Sequence, residues 1–503
     1  MYSPFLSLLN PFPPTLLPLP LPRSRRPLIG QLPEFANREP KPIPASEPAP
    51  LGPATVSPLL WKWRCQLGTV FGLSIGPFQP LIVAEPDLFH QILIAKNSSF
   101  QKNQNARRVV SFLANGLVFS DGAFWARQRK MISPAFSPSY LKVSAVALPR
   151  SAARLTSSTG STERFFSGRF LIPLYTWLPT QENRALQQAG EKVKRLCLDL
   201  IARRRQEQAG APRRDLLAVM LAARDDVSNE QMTDQQLVDE CVTFLVAGTV
   251  RNEQMTNQQL VDECVTFLVA GTAVLNDGDG CRWSARGDCA AVMWDEVRPS
   301  FFHPSLPPIP SGHETTAKLL TWTVYLLARY PEWQRRVREE GDRRRGGGGK
   351  VTWEQVGRLS EMHMVLLETL RLFPPTPAIT REASKDVSLG PYSLPAGTRI
   401  TMAIALVHSD PRFWGKDALE FNPARFKDGI QGACSHPQAF LPFSAGPRDC
   451  IGSNFALSEA KVVLAHMVSR LEWELSPTYV HLPTMGIALS PKYGMPLRMR
   501  LVE

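Results

Sequence analysis

The run FLPFSAGPRDCIGSN at residues 440–454 sets one cysteine, Cys450, at fixed offsets from Phe443, Gly446, Arg448 and Gly452. Its glycines and proline describe a turn-rich loop. The segment that follows, NFALSEAKVVLAHMVSRL, has the composition of a long helix starting near Gly452. The loop therefore presents a sulfur just before a helix. Gly446 and Gly452 let the backbone turn tightly and come close to a flat ligand. Amides at a helix start favour a thiolate, and Arg448 is placed to pair with an anionic group beside it. A lone cysteine is more often a small buried hydrophobe. The companions at these offsets set this one apart.

The other seven cysteines, at 65, 197, 241, 264, 281, 289 and 434, are scattered and form no CxxC pair. That excludes a dense disulfide framework and suits a reducing compartment. The chain has 503 residues, 44% hydrophobic and 20% charged, which fits a globular body and excludes disorder, collagen and coiled coil as its class. The net charge of +12 permits an anionic membrane or acidic protein as partner. No aromatic-basic module accompanies that charge, so no nucleic-acid partner is expected.

Working outward from the cysteine loop, FNPARF at 421–426 contributes Arg425, and ETLR at 368–371 places Glu368 and Arg371 on one helix face. Taken alone, such a pair is usually an exposed salt bridge worth under about 1 kcal/mol. Arg381 follows in PTPAITRE, and FWARQRK at 124–130 sets Trp125 and Arg129 one helical turn apart. Gly312-His313-Glu314-Thr315-Thr316 joins an acid to a hydroxyl, a pair suited to moving protons, although the same residues also cap helices.

Together these stretches resemble the cytochrome P-450 family, whose cysteine loop reads FxxGxRxCxG. The resemblance implies a mainly α fold with small β-sheets, and haem b between a proximal cysteine loop and a long distal helix. It implies Cys450 as the iron ligand, a thiolate ligation that is that family's known case. Phe443 would pack near the sulfur, and Arg448, Trp125, Arg129 and Arg381 would meet the propionates. Glu368, Arg371 and Arg425 would form a buried triad, with Ala424 standing where the family usually has an acid. Glu314 and Thr315 would relay protons during dioxygen activation. The implied activity is a monooxygenase that inserts one oxygen atom into an apolar small molecule. Its electrons would come from NADPH through NADPH-cytochrome reductase. The tail and the FLVAG…HETTAKLLTWTVYLLARYPEWQ stretch resemble the plant clan that oxidises terpenoids, hormones and fatty acids. The implied place is the cytosolic face of the endoplasmic reticulum, with membrane association.

The domain reading is a proline-rich segment over 1–54 and a cytochrome P-450 domain over 55–503. Seven prolines fall within the first 22 residues, and each breaks a helix, so no membrane anchor is evident there. Residues 229–249 recur almost unchanged as 252–272, differing within the copy only at Asp234 against Asn257. Two copies make no solenoid. Residues 273–311 are rich in Gly, Asp and Pro without a sustained period, and read as an insert. Gly271 and Gly312 would be neighbours in an uninterrupted distal helix. Two alternatives stay open on the sequence: a non-catalytic or misfolded relic with a broken distal helix, and an oxygen-independent haem-thiolate isomerase or dehydratase.

For secondary structure, 69–84 reads as two strands about a Gly-Pro turn, and 84–97 as a helix starting near Glu85–Pro86. Helical periodicity covers 186–207 and 319–345, and 386–407 alternates as in a small sheet.

Overall fold

The structure, a computed structural model, describes residues 42–502 apart from 46, 48, 74–78, 103–115, 119, 137–145, 148–179, 208–215, 226–228, 248–249, 252–273, 276–313, 346–352 and 486–487. The second copy of the duplicated segment, nearly all of the insert, and Gly312 and His313 lie outside the described residues, as does most of the proline-rich segment. The chain forms two compact units, each made of several stretches. The first takes the described parts of Met1–Ala106, Leu367–Cys450 and Val480–Thr484. The second takes those of Arg107–Leu366, Ile451–Tyr479 and Met485–Glu503.

A five-stranded sheet is the centre of the first unit. Its strands are β1 (Val70–Gly72), β2 (Leu81–Val83), β3 (Phe100–Gln101), β4 (Ile379–Ala383) and β5 (Arg399–Met402), in the order β1-β2-β5-β4-β3. β2 and β5 run parallel with Leu81 beside Ile400; the other pairs are antiparallel, with Val70 opposite Val83, Ile400 opposite Arg381 and Phe100 opposite Ala383. Short β-branched and aromatic runs suit a pleated, buried surface. Phe71, Leu81, Val83, Phe100, Ile400 and Met402 are all buried. Each such side chain contributes roughly 1.5–3 kcal/mol by leaving water. A separate hairpin pairs Val387–Leu389 with Tyr392–Leu394. The expected sheet over 386–407 thus divides between two ladders, and its last four residues, Ile404–Val407, form a helical turn instead. The strands expected over 69–84 are β1 and β2. The helix expected after Glu85 begins at Pro86 as expected but widens to a π-helix over Gln91–Ala95.

The second unit is helical, with a small sheet. Helices α1 (Gly122–Ile132), α2 (Gln181–Glu207) and α3 (Asp234–Ala247) pack with the short helix Leu216–Ala222. Their shared core includes Met131, Ile132, Cys197, Leu200, Ile201, Met220, Leu237, Val238 and Cys241. In α2 the buried positions 197, 200, 201 and 204 recur at the three-to-four spacing of one helical face. A second core lies under α4 (Glu314–Arg329), α5 (Pro331–Arg345) and α7 (Ser453–Val468), with α6 (Ser360–Leu372) between α5 and α7 in the chain. The periodicity over 319–345 reads as one helix, yet it breaks at Tyr330, because Pro331 has no amide to continue the ladder and instead starts α5. From Leu319 to Leu327 every side chain of α4 is buried. Its polar atoms find backbone partners: the Trp322 indole donates to Leu489 O at 2.9 Å. Strands β6 (Leu471–Leu475) and β7 (Leu497–Leu501) pair antiparallel, and the Trp473 indole donates to Val324 O at 3.0 Å. Among the described residues no helix is long and apolar enough to cross a membrane.

Candidate functional site

The cysteine loop is held by its own backbone. The Cys450 amide donates to Phe443 O at 2.8 Å, and the Ser444 amide to Leu441 O at 3.1 Å. Cys450 is exposed and forms no disulfide. Gly446 has φ +73°, and a Cβ built on it would stand 2.2 Å from the Leu93 carbonyl oxygen. Only glycine fits where the loop comes that close to the π-helical backbone. Gly452 caps α7, and a Cβ there would meet nothing within 4 Å. Ser444 also lies in the left-handed region, at φ +64°, without being glycine. Arg448 ties the loop to the sheet edge: its Nη1 donates to Asn97 Oδ1 at 2.6 Å and to Phe100 O at 2.7 Å. Asn97 carried no signal in the sequence.

The Glu368, Arg371 and Arg425 side chains come together in the first unit. Glu368 and Arg371, both fully buried, form two parallel bonds, Nε to Oε2 and Nη2 to Oε1, each of 2.7 Å. All five guanidinium protons of Arg371 are used. Nη1 donates to His408 O at 2.9 Å and Ala418 O at 2.6 Å, and Nη2 also donates to Glu420 O at 3.0 Å. Burial of such a pair is tolerable only with this completeness. Arg425 Nε lies 3.8 Å from Glu368 Oε1, an ion pair without a hydrogen bond. The fork of Arg425 turns instead to Asp417, with Nη2 donating to Oδ2 at 2.6 Å and Nη1 to Oδ1 at 3.2 Å. Asp417 therefore supplies the acid that Ala424 does not. Burial alone would raise its carboxyl, but the bonds from Arg425 and Asn422 hold it below the usual carboxylate range.

Arg381 is buried on the face of β4 that also holds Ala383, and its Nη1 donates to Thr380 O at 2.8 Å. In the second unit, Trp125 is buried and Arg129 half-buried on α1. Their helix is capped by Asp121, whose side chain accepts from the Gly122 amide at 3.0 Å. Glu314 and Thr315 open α4, and Thr315 is exposed. Both stand in the first described turn of the helix.

The cysteine loop fits a haem in its chemistry. It offers one exposed soft sulfur, a glycine-lined backbone bare of side chains at Gly452, and a neighbouring arginine. Sequence reasoning missed His408, which is fully buried among these residues. Its Nε2 lies 2.9 Å from the Leu441 amide and its Nδ1 3.2 Å from Arg371 O. Burial, with the Arg371 charge adding to it, pushes the His408 imidazole down to about 3.

A family model described as cytochrome P-450 matches residues 53–159, 161–250 and 309–496. The chain is 32% identical over 494 residues to cytochrome P-450 734A1 of Arabidopsis thaliana, covering 87% of this chain and 81% of that one. It is 30% identical over 481 residues to secologanin synthase 2 of Catharanthus roseus, covering 84% and 78% respectively. Among solved structures it resembles the cytochrome P-450DA heme domain, with a TM-score of 0.68 at 21% identity, over 97% of this chain and 98% of that one.

Proposed function

The chain belongs to the cytochrome P-450 family, and from that premise we propose that Cys450 is the sulfur ligand of its haem iron. The protein is a haem-dependent monooxygenase; its cofactor is haem b, and its electrons come from NADPH through a reductase. Neither a non-catalytic relic nor an oxygen-independent isomerase is favoured by these likenesses. When bound, the haem supplies the redox chemistry that splits dioxygen, which a thiolate ligand promotes by pushing electron density toward the iron.

The residues of the chain do the holding. The observation that carries the assignment is an exposed Cys450 on a loop braced, through His408, by a buried, fully bonded Glu368–Arg371 pair. Phe443 and Gly446 shape that loop, Gly452 leaves its backbone open, and Arg448 anchors it to Asn97 and Phe100. Arg425 with Asp417 completes the brace. Trp125, Arg129 and Arg381, with Arg448, are the cationic and hydrogen-bonding groups assigned to the propionates. Glu314 holds a proton at its carboxyl and Thr315 positions a water at its hydroxyl, the pair serving as general acid and relay.

The substrate is assigned as a small molecule with an apolar face; one relative of this chain is named secologanin synthase 2. The reductase is assigned as NADPH-cytochrome reductase, and the place as the cytosolic face of the endoplasmic reticulum, with residues 273–311 an insert in the domain 55–503. Fractionation of cells expressing the full chain checks the place: recovery only in the soluble fraction overturns it.

The ligand assignment is tested by the carbon-monoxide difference spectrum of the reduced, haem-loaded protein. The expected result is a red-shifted band of thiolate type, lost in Cys450→Ser. A Cys450→Ser protein that keeps its haem and an unchanged band overturns the assignment.

A further inference from the structure

We propose that His408 is a positioning residue for the cysteine loop, its imidazole joining the Arg371 backbone to the Leu441 amide and so fixing where Cys450 stands. The inference rests on the reading of Cys450 as the haem ligand. Its geometry admits one tautomer. Leu441 N is a donor, so the Nε2 that it meets at 2.9 Å carries the lone pair. The ring proton is then on Nδ1, where the Arg371 carbonyl accepts it at 3.2 Å. Both nitrogens are used once, each in a different sense. A charged ring would set an N–H against the Leu441 N–H, and burial keeps the ring neutral.

The ring cannot swing away from this arrangement. It stacks on Phe440 at 5.3 Å between centroids and 28° between planes, and it meets Trp414 edge-on at 6.5 Å. Trp414 is fixed in turn, donating through its indole to Val407 O at 3.0 Å, with the Arg371 guanidinium 5.0 Å from its ring centroid. The backbone of His408 grips the same arginine, because its carbonyl accepts from Arg371 Nη1 at 2.9 Å. Arg371 is thus held by both the main chain and the side chain of one residue.

Two bonds then carry the position of Leu441 to the sulfur-bearing residue. Leu441 O accepts from the Ser444 amide at 3.1 Å, and Phe443 O accepts from the Cys450 amide at 2.8 Å. The path runs from the buried ion pair, through one neutral ring, to the loop. The ion-pair helix and the loop are distant in sequence, and His408 is a side chain that binds both.

The test separates the two nitrogens. In His408→Gln the longer side chain places Oε1 where Nε2 stood and still accepts from Leu441. In His408→Asn the amide reaches only the Arg371 carbonyl. At equal haem load, His408→Gln is expected to keep the wild-type thiolate-type fraction in the carbon-monoxide spectrum. His408→Asn is expected to lose at least threefold. Equal fractions in the two variants, or a greater loss in Gln, overturn the inference. If neither variant folds, nitrogen-15 spectra of histidine-labelled wild type in its reduced carbon-monoxide form decide. A neutral Nδ1-protonated ring down to pH 5 supports the proposal, and an Nε2-protonated or charged ring overturns it. A wild type lacking the thiolate-type band, or Cys450→Ser retaining it, defeats the ligand assignment itself and the inference with it.

Discussion

Two buried carboxylates hold α6, one at each end, and they are satisfied by different means. At the start of the helix, Glu340 reaches across from α5. Its Oε1 accepts from the Ser360 amide at 2.6 Å, the Ser360 hydroxyl at 2.9 Å and the Glu361 amide at 2.9 Å, while Oε2 accepts from the Met362 amide at 3.0 Å. These are the donors that a helix start leaves without partners, and the dipole there favours a negative charge. Near the other end, Glu368 chiefly faces formal charges, Arg371 bonded to both oxygens and Arg425 3.8 Å away, with one amide, that of Asn422, donating to Oε1 at 2.9 Å. The first arrangement spreads one charge mainly over amides and a hydroxyl, with the Lys461 charge also acting on it. The second balances charge against charge, and its members stand or fall together.

The largest effect therefore belongs to Glu368→Ala. It leaves the Arg371 guanidinium buried without its counter-charge, a loss of roughly 3–5 kcal/mol for a broken buried pair. The expected outcome is protein that accumulates with little haem, read as the haem-to-protein ratio. Because Arg371 also meets His408, the damage should reach the cysteine loop. Haem retention equal to wild type would break the contrast between the two ends. Glu340→Ala is expected to cost about 2–3 kcal/mol through unsatisfied donors, and Glu340→Gln about 1 kcal/mol, since an amide oxygen still accepts. Urea midpoints check both, and neither variant is expected to alter the carbon-monoxide spectrum.

How far each end was legible in the sequence follows the same division. Glu368 and Arg371 are three residues apart, so helix geometry alone puts them on one face, and the motif was readable. Asp417, Asn97, His408 and Glu340 were not. Each reaches its partner from another element, and tertiary folding alone makes those contacts: Glu340 lies 20 positions before Ser360, and Asn97 lies 351 before Arg448. Pro331 announced a helix start that periodicity ran through, because apolar spacing does not register a missing amide. The widening to π geometry after His90 was invisible for a similar reason, since the same apolar residues serve both turns. Glu314 and Thr315 were legible as a motif, an acid beside a hydroxyl.

A smaller effect sharpens the comparison through acid. His408 titrates near 6.5 when unfolded and near 3 when folded, because burial and the Arg371 charge both oppose the imidazolium. Between those values the unfolded chain holds a proton that the folded chain does not. Its contribution is therefore level above the unfolded value, and stability falls as pH drops below it. The slope is about 1.4 kcal/mol per pH unit for one proton, or about 2 kcal/mol lost by pH 5. His363, lowered to about 4 by burial and the Lys461 charge, acts in the same direction and less strongly for being half-exposed. Urea unfolding from pH 7 to pH 5 checks this. His408→Gln should flatten the slope even where it lowers the midpoint.

The smallest expected effect has the opposite sign. Ser444 sits at φ +64°, between the residues that tie Leu441 and Cys450 into the loop, and its Oγ is buried with no hydrogen-bond partner among the described residues. A side chain in the left-handed region costs roughly 1–2 kcal/mol, which glycine avoids, although glycine gives back about 0.5–1 kcal/mol through the freer unfolded chain. Removing the unbonded hydroxyl adds to the gain. Ser444→Gly should thus stabilise by about 1 kcal/mol, raising the urea midpoint without changing its slope. Charge pairs and caps at the ends of α6 lose when a group is deleted, and this strained turn should gain. A fall in the midpoint would mean that the Ser444 hydroxyl contributes to holding the loop. In that case the brace on Cys450 would have a second polar anchor besides Leu441.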